Sequence, residues 1–279
     1  MAKNIHPLGL AVLLALAPTA YAAGTQDIEK GKKQIEEAVV FINQQKDVVK
    51  NKILAGKMPT DNIDAGLVAA EDLNSKYIRE IKIGENLLAN KIPGAITATF
   101  YNDEPVIMEL RGRKLTFVPI NREPFLYYKF NCLSNIGKEY LPEKYKCEHV
   151  SNENDLKHYM IREQVAEAAH LINEQKLSLT TYHRNRDAWP EDNKIASLAD
   201  SYDIRGKYVK EVRVGVNLTG DKQPGVITAT LYNEEPVAPE LRGKKLSYVP
   251  SEKDGAYQWD CVSNIDSQYL PEPCRHVDK

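Results

Sequence analysis

The chain has 279 residues, 42% hydrophobic and 27% charged, which is room for about two domains and a composition that excludes a disordered chain. Its formal net charge of −2 gives no support to nucleic-acid binding, which needs a basic face.

The first 22 residues read as a secretory signal peptide. Lys3 supplies the positive start, Leu8 to Ala17 an apolar run, and Ala20-Tyr21-Ala22 a small-x-small site, so cleavage is expected between Ala22 and Ala23. The apolar run is too short to span a bilayer, which takes about 20 residues. No later stretch is longer, so the mature chain is expected to be exported without a membrane span, to the periplasm or the extracellular space.

The rest is expected to be two copies of one module, residues 23–150 and 151–279. PGAITATFYNDEPVIMELRGRKLTFVP from Pro93 returns as PGVITATLYNEEPVAPELRGKKLSYVP from Pro224. Each copy opens on a helix. Ile35, Ala38, Val39 and Ile42 in the first, and Val165, Ala168, Ala169 and Ile172 in the second, form one apolar stripe at helical spacing. His170 falls at the edge of that stripe. A connector with Pro and Asp follows, GKMPTDNIDAG in one copy and RNRDAWPEDN in the other, and reads as loop. Exposed loops at 55–66 and 182–193, the latter with Trp189, are candidates for recognition.

Strands come next. Ile81 and Ile83, then Ile96, Ala98 and Phe100, then Leu115 and Phe117 alternate with polar neighbours, as do Val212 and Val214, Ile227, Ala229 and Leu231, and Leu246 and Tyr248. Alternation of this kind predicts an antiparallel sheet with one buried face. Thr228 and Thr230 are placed on the open side. Leu110-Arg111-Gly112 and Leu241-Arg242-Gly243 mark a tight turn or bulge. In the last strand Tyr257, Trp259 and Cys261 share a face, with Tyr128, Phe130 and Cys132 as counterparts. The junction HVSNEND from His149 is short and polar.

Cysteine use agrees with export. Four cysteines allow three pairings, and the repeat favours one bridge inside each half, Cys132 with Cys147 and Cys261 with Cys274. The C-x-H pairs at His149 and His276 leave each half with two cysteines and one histidine, short of a zinc site. No nucleotide loop or hydrolase motif is present, so no cofactor, no catalytic group and no enzyme activity are expected. Asp103-Glu104 and Glu234-Glu235 read as solvated turn residues. The clusters Lys30, Lys32, Lys33 and Arg184, Arg186 read as solvated faces, and no nucleic-acid partner is expected. Asn217-Leu218-Thr219 is a formal glycosylation sequon of a kind common by chance.

The fold class is α+β: two tandem modules, each an N-terminal helix packed on a roughly four-stranded antiparallel sheet with a cysteine-closed C-terminal loop. This order resembles the globular domain of type IV pilins. The residues that carry the resemblance are Asp254-Gly255, Trp259, Cys261, Ser263, Ile265, Tyr269-Leu270-Pro271 and Cys274, and in the first copy Phe130, Cys132, Ser134, Ile136, Tyr140-Leu141-Pro142 and Cys147. The first copy departs at Phe125-Leu126, where the second has Asp254-Gly255. The resemblance implies that the cysteine-closed loop braces the sheet edge. It also implies a special leader and a long apolar helix that packs into the filament core. The sequence after Ala22, AGTQDIEKGKKQIEEA, is polar instead. The expectation is therefore a pilin-shaped binding or accessory protein, with type IV pilus subunits or assembly components as partners. The alternative is a secreted adhesin independent of pili.

Overall fold

The structure is a computed structural model that describes residues 24–120 and 129–277. The signal peptide with Ala22 and Ala23 lies outside the described residues, as do Phe125, Leu126 and Tyr128.

Helix α1 (Thr25–Leu54) opens the first module. A short helix α2 (Asn62–Ala65) leads into strands β1 (Ile78–Glu85), β2 (Lys91–Phe100), β3 (Lys114–Ile120), β4 (Lys129–Ser134) and β5 (Glu148–His149). The second module repeats the order with α3 (Glu153–Arg186), β6 (Val209–Val216), β7 (Lys222–Leu231), β8 (Lys245–Lys253), β9 (Ala256–Ser263) and β10 (Arg275–His276). Each sheet is a four-strand antiparallel meander, and its fifth strand, two residues long, pairs in parallel with the fourth. That fifth strand follows Cys147 or Cys274 directly, so the disulfide holds it against the sheet. Two residues carry no periodicity, and sequence alone therefore stops at four strands.

The helical stripes do what their spacing predicts. Ile35, Ala38, Val39 and Ile42 pack on Ile81, Ile96, Ala98, Phe100 and Leu115 in one core, and Val165, Ala168 and Ile172 on Val212, Ile227, Ala229, Leu231 and Leu246 in the other. In-sheet register follows the alternation: Ile96 opposes Phe117 and Ala98 opposes Leu115, as Ile227 opposes Tyr248 and Ala229 opposes Leu246.

Three details fix the frame. A buried glutamine stands at the same place in the helix of each module: Gln34 Nε2 donates to Pro105 O (2.7 Å) and Gln34 Oε1 accepts from Ile107 N (3.1 Å), while Gln164 Oε1 accepts from Ala238 N (2.9 Å). These bonds satisfy backbone groups of the β2–β3 and β7–β8 connections that the core would otherwise leave unpaired. The connector carries a buried asparagine that acts as a missing neighbour strand. Asn62 Nδ2 donates to Ile81 O (2.9 Å) and its Oδ1 accepts from Ile83 N (2.9 Å); Asn193 does the same at Val212 O (3.0 Å) and Val214 N (2.8 Å). Edge strands β1 and β6 are thus partly occupied. At the β8–β9 hairpin, Asp254 and Gly255 have φ of 53° and 76° and join Lys253 to Ala256, the two-residue turn with both central residues left-handed.

The expectation of a single buried face is corrected. Thr97, Thr116, Thr228 and Ser247 lie on the side away from the module's own helix and are nevertheless buried. Thr97 Oγ1 donates to Glu85 O (2.6 Å) and meets Thr116 Oγ1 at 2.8 Å; Thr228 Oγ1 donates to Val216 O (2.6 Å) and meets Ser247 Oγ at 2.6 Å. Buried hydroxyls of this kind need such partners.

In the first module the second face is covered by α3. Leu156 and Tyr159 join Leu87, Val118, Leu133 and Val150 in a third apolar cluster, with Met160 packed beside them. At about 100° per residue, Leu156 and Val165 point to opposite sides of the helix. The start of α3 therefore serves the first module with one side and the second module with the other. Around the cluster, Asn131 Nδ2 donates to Tyr159 Oη (3.1 Å), Asn90 Nδ2 reaches Glu153 (3.1 Å), and Arg162 pairs with Glu148. Asn152 caps α3, its side chain accepting from Asp155 N (3.0 Å), while Asp155 accepts from Ser151 N (2.9 Å).

Candidate functional site

The cysteine-closed end is where the repeat is densest in distinctive residues. At the end of β4, Ser134 Oγ donates to Lys114 O (3.2 Å) and accepts from Ile136 N (3.0 Å), and Asn135 Oδ1 accepts from Lys114 N (2.7 Å). Ser263 and Asn264 repeat the arrangement with Lys245 and Ile265. The Ser-Asn-Ile triplet thus turns the chain off the strand without orphaning a backbone group, and drives Ile136 or Ile265 fully into the core.

Cys132 is bonded to Cys147 and Cys261 to Cys274. Both sulfur pairs are spent on these bonds, so the C-x-H histidines have no thiolate beside them. Each instead turns inward on the loop: Nδ1 of His149 donates to Ile136 O (3.3 Å) and that of His276 to Ile265 O (2.6 Å). Among the described residues no group of three or more His, Cys, Asp or Glu is placed to hold a metal ion.

The loop also reaches the helix. Tyr140, which is buried, lies so near α1 that a Cβ on Gly31 would come within 2.6 Å of its ring. The second copy has buried Ile161 at that place in the repeat, and its Tyr269 meets His158 edge-on at 5.5 Å between ring centres. An open depression of about 520 Å³ beside this loop is lined by Glu240, Lys244, Asn264, Asp266, Tyr269 and His276.

In each module a lysine of the helix lies on aromatic faces of the sheet. Lys46 Nζ is 4.5 Å from the Phe117 ring centre and 5.2 Å from that of Phe130; Lys176 Nζ is 3.7 Å from Tyr248 and 5.2 Å from Trp259. Burial lowers both amines, Lys176 to about 8. The ring faces oppose that shift by attracting the cation.

Trp189 is corrected from an exposed recognition residue to a half-buried packing residue. Its ring meets His183 at 4.1 Å, Tyr257 at 5.7 Å and Trp259 at 5.9 Å. A Cβ on Gly225 would come within 2.8 Å of it, and Gly225 N donates to Pro190 O (2.8 Å). Gly94 N donates to Pro59 O (2.7 Å) in the same way, so the connector is pinned to β2 or β7 through its Met-Pro or Trp-Pro pair. Residues 182–186 belong to α3, and loop 55–66 contains α2. His170 is a core-edge residue 3.2 Å from Glu174. Asp103, Glu104, Glu234 and Glu235 are exposed, as are Lys30, Lys33, Arg184 and Arg186; Lys32 is half-buried.

Comparison with known proteins decides the family. The family model for Pilin (bacterial filament) matches residues 162–275. The fimbrial protein EcpC of Eikenella corrodens is 38% identical over 119 residues, which cover 43% of this chain and 73% of the relative. The chain belongs to the type IV pilin family. The type IV major pilin protein PilE of Neisseria gonorrhoeae is 37% identical over 137 residues, 42% of this chain and 77% of that pilin. A fimbrial protein of Neisseria meningitidis serogroup A is 34% identical over 140 residues, with 42% and 77% covered. Each match covers less than half of the chain, as one pilin head of two would. The first module's likeness rests on the repeat and on the shared order of elements. Among the described residues, no helix is long and apolar enough to cross a membrane.

Proposed function

We propose that the protein is an exported, non-enzymatic accessory of type IV pili that presents two pilin-like heads to assembled pili or to pilus-assembly components, and so alters assembly or adhesion. Its organisation is a signal peptide over 1–22, one head over 23–150 and a second over 151–279.

One observation carries this reading. The helix of the second head does not emerge from an apolar extension. It is capped by Asn152 directly after β5, and its first turns are seated on the first head. Apolar surface that a pilus subunit spends in a filament core is here spent inside one chain. The relatives named above are fimbrial and major pilin proteins, so surfaces shared with them point to pili as the partner. Two heads on one chain add avidity where both engage a repeating filament.

Deletion of the gene tests the role. A changed number of pili or changed twitching, restored by the intact chain, is the expected result. Normal piliation and twitching, together with loss of attachment to surfaces, would replace this reading with that of a pilus-independent adhesin.

A further inference from the structure

The two sheets expose equivalent outer faces and only one is filled. In the first module Val118, Leu133 and Val150 are 8%, 0% and 0% exposed, because Leu156, Tyr159 and Met160 of α3 lie on them. Strand register gives their counterparts without ambiguity. Leu133 opposes Glu148 as Val262 opposes Arg275, and Val118 opposes Asn131 as Val249 opposes Asp260. Val249, Val262 and Val277 keep the aliphatic character of the first seat and are all left half-buried. The loop before the second strand is kept too, with Leu218 in the place of Leu87 and each receiving a lysine ammonium on its carbonyl oxygen.

The rim differs, and it differs in charge. Asn90, Asn131 and Glu148 hold α3 through Glu153, Tyr159 and Arg162. At the same three places the second module has Asp221, Asp260 and Arg275, all exposed. We propose that this outer face of the second sheet is a docking seat for an amphipathic helix of another protein. Its occupant carries an aliphatic–aromatic ridge with the spacing of Leu156, Tyr159 and Met160, a cation one turn before the ridge for Asp221, and an acid after it for Arg275.

The same rim excludes both helices of a second copy. An incoming α3 would set Glu153 against Asp221 and Arg162 against Arg275. An incoming α1 would set Gln26, Glu29 and Lys30 on the apolar centre and Lys32 against Arg275. Like charges at these contacts select against self-assembly and leave the seat to a partner of opposite pattern.

The probe is a peptide of residues 150–167, held helical by a lactam on its solvent side, since a free peptide of this length is mostly unfolded. Two forms are compared by fluorescence anisotropy on the full mature chain: the native sequence, and one carrying Glu153→Lys and Arg162→Glu. The exchanged peptide is expected to bind saturably and about tenfold tighter than the native one, a typical effect of matched against mismatched rim charges. Arg275→Glu, at an exposed position, is expected to lower that preference, and Val262→Lys to abolish binding. Equal binding of both peptides, indifference to Arg275→Glu, or no saturable binding up to millimolar peptide would each overturn the proposal. So would a dimer in sedimentation that Val262→Lys dissolves, because the seat would then belong to a second copy. None of these outcomes depends on whether the chain binds pili.

Discussion

Gln34 shows how much one buried side chain decides. It supplies both a donor and an acceptor to the β2–β3 connection from inside the core. Gln34→Leu keeps the volume and leaves Pro105 O and Ile107 N unpaired, which should cost about 2 kcal/mol. Chemical denaturation would register this as a lower midpoint with an unchanged slope. Lys176 gives a pH signature. An unfolded lysine releases its proton near 10.5, and burial brings this one to about 8. Between those values the unfolded state holds a proton that the folded state has lost, so stability rises with pH across that window. Below about 8 both states are protonated and the gain is absent. Lys176→Met should flatten the rise between pH 8 and about 10 in urea titrations. Lys46, lowered in the same sense, keeps part of it. The apolar stripe residues and the paired cysteines could be read directly from spacing and repetition. Trp189 could not, since an aromatic in a connector rich in Pro and Asp reads as loop, and its packing on His183, Tyr257, Trp259 and Gly225 joins segments far apart in sequence.

At the scale of elements, each sheet is closed by a disulfide that spans 15 residues in the first module and 13 in the second. Loops of this size contribute about 3 kcal/mol through restriction of the unfolded chain. Replacing Cys261 and Cys274 together by serine should therefore lower the second module by about that amount and loosen β10, which hydrogen exchange at His276 and Val277 would report. The four long strands and both helices follow from alternation and from the apolar stripe. Strands β5 and β10 do not, because two residues held by a neighbouring disulfide carry no pattern of their own. The start of α3 was also hidden. Leu156 and Tyr159 fall outside the stripe of Val165, Ala168 and Ile172, and a single-faced reading of the helix has no place for them.

For the molecule as a whole, α3 is both the first element of one head and the cover of the other. The heads should then unfold as one unit, with the cluster of Leu87, Val118, Leu133, Val150, Leu156 and Tyr159 as the coupling. Calorimetry of Leu156→Asp with Tyr159→Ser is expected to show two separate transitions where the parent chain shows one. A single transition in that variant would mean that the heads are coupled elsewhere. A two-headed pilus accessory has to bind the filament. The most direct test is co-sedimentation of the chain from residue 23 onward, both disulfides intact, with sheared native pili of the same organism. Saturable binding is expected, persisting when either head is altered singly and weakening when both are. Chain that stays in the supernatant at every pilus concentration would contradict it.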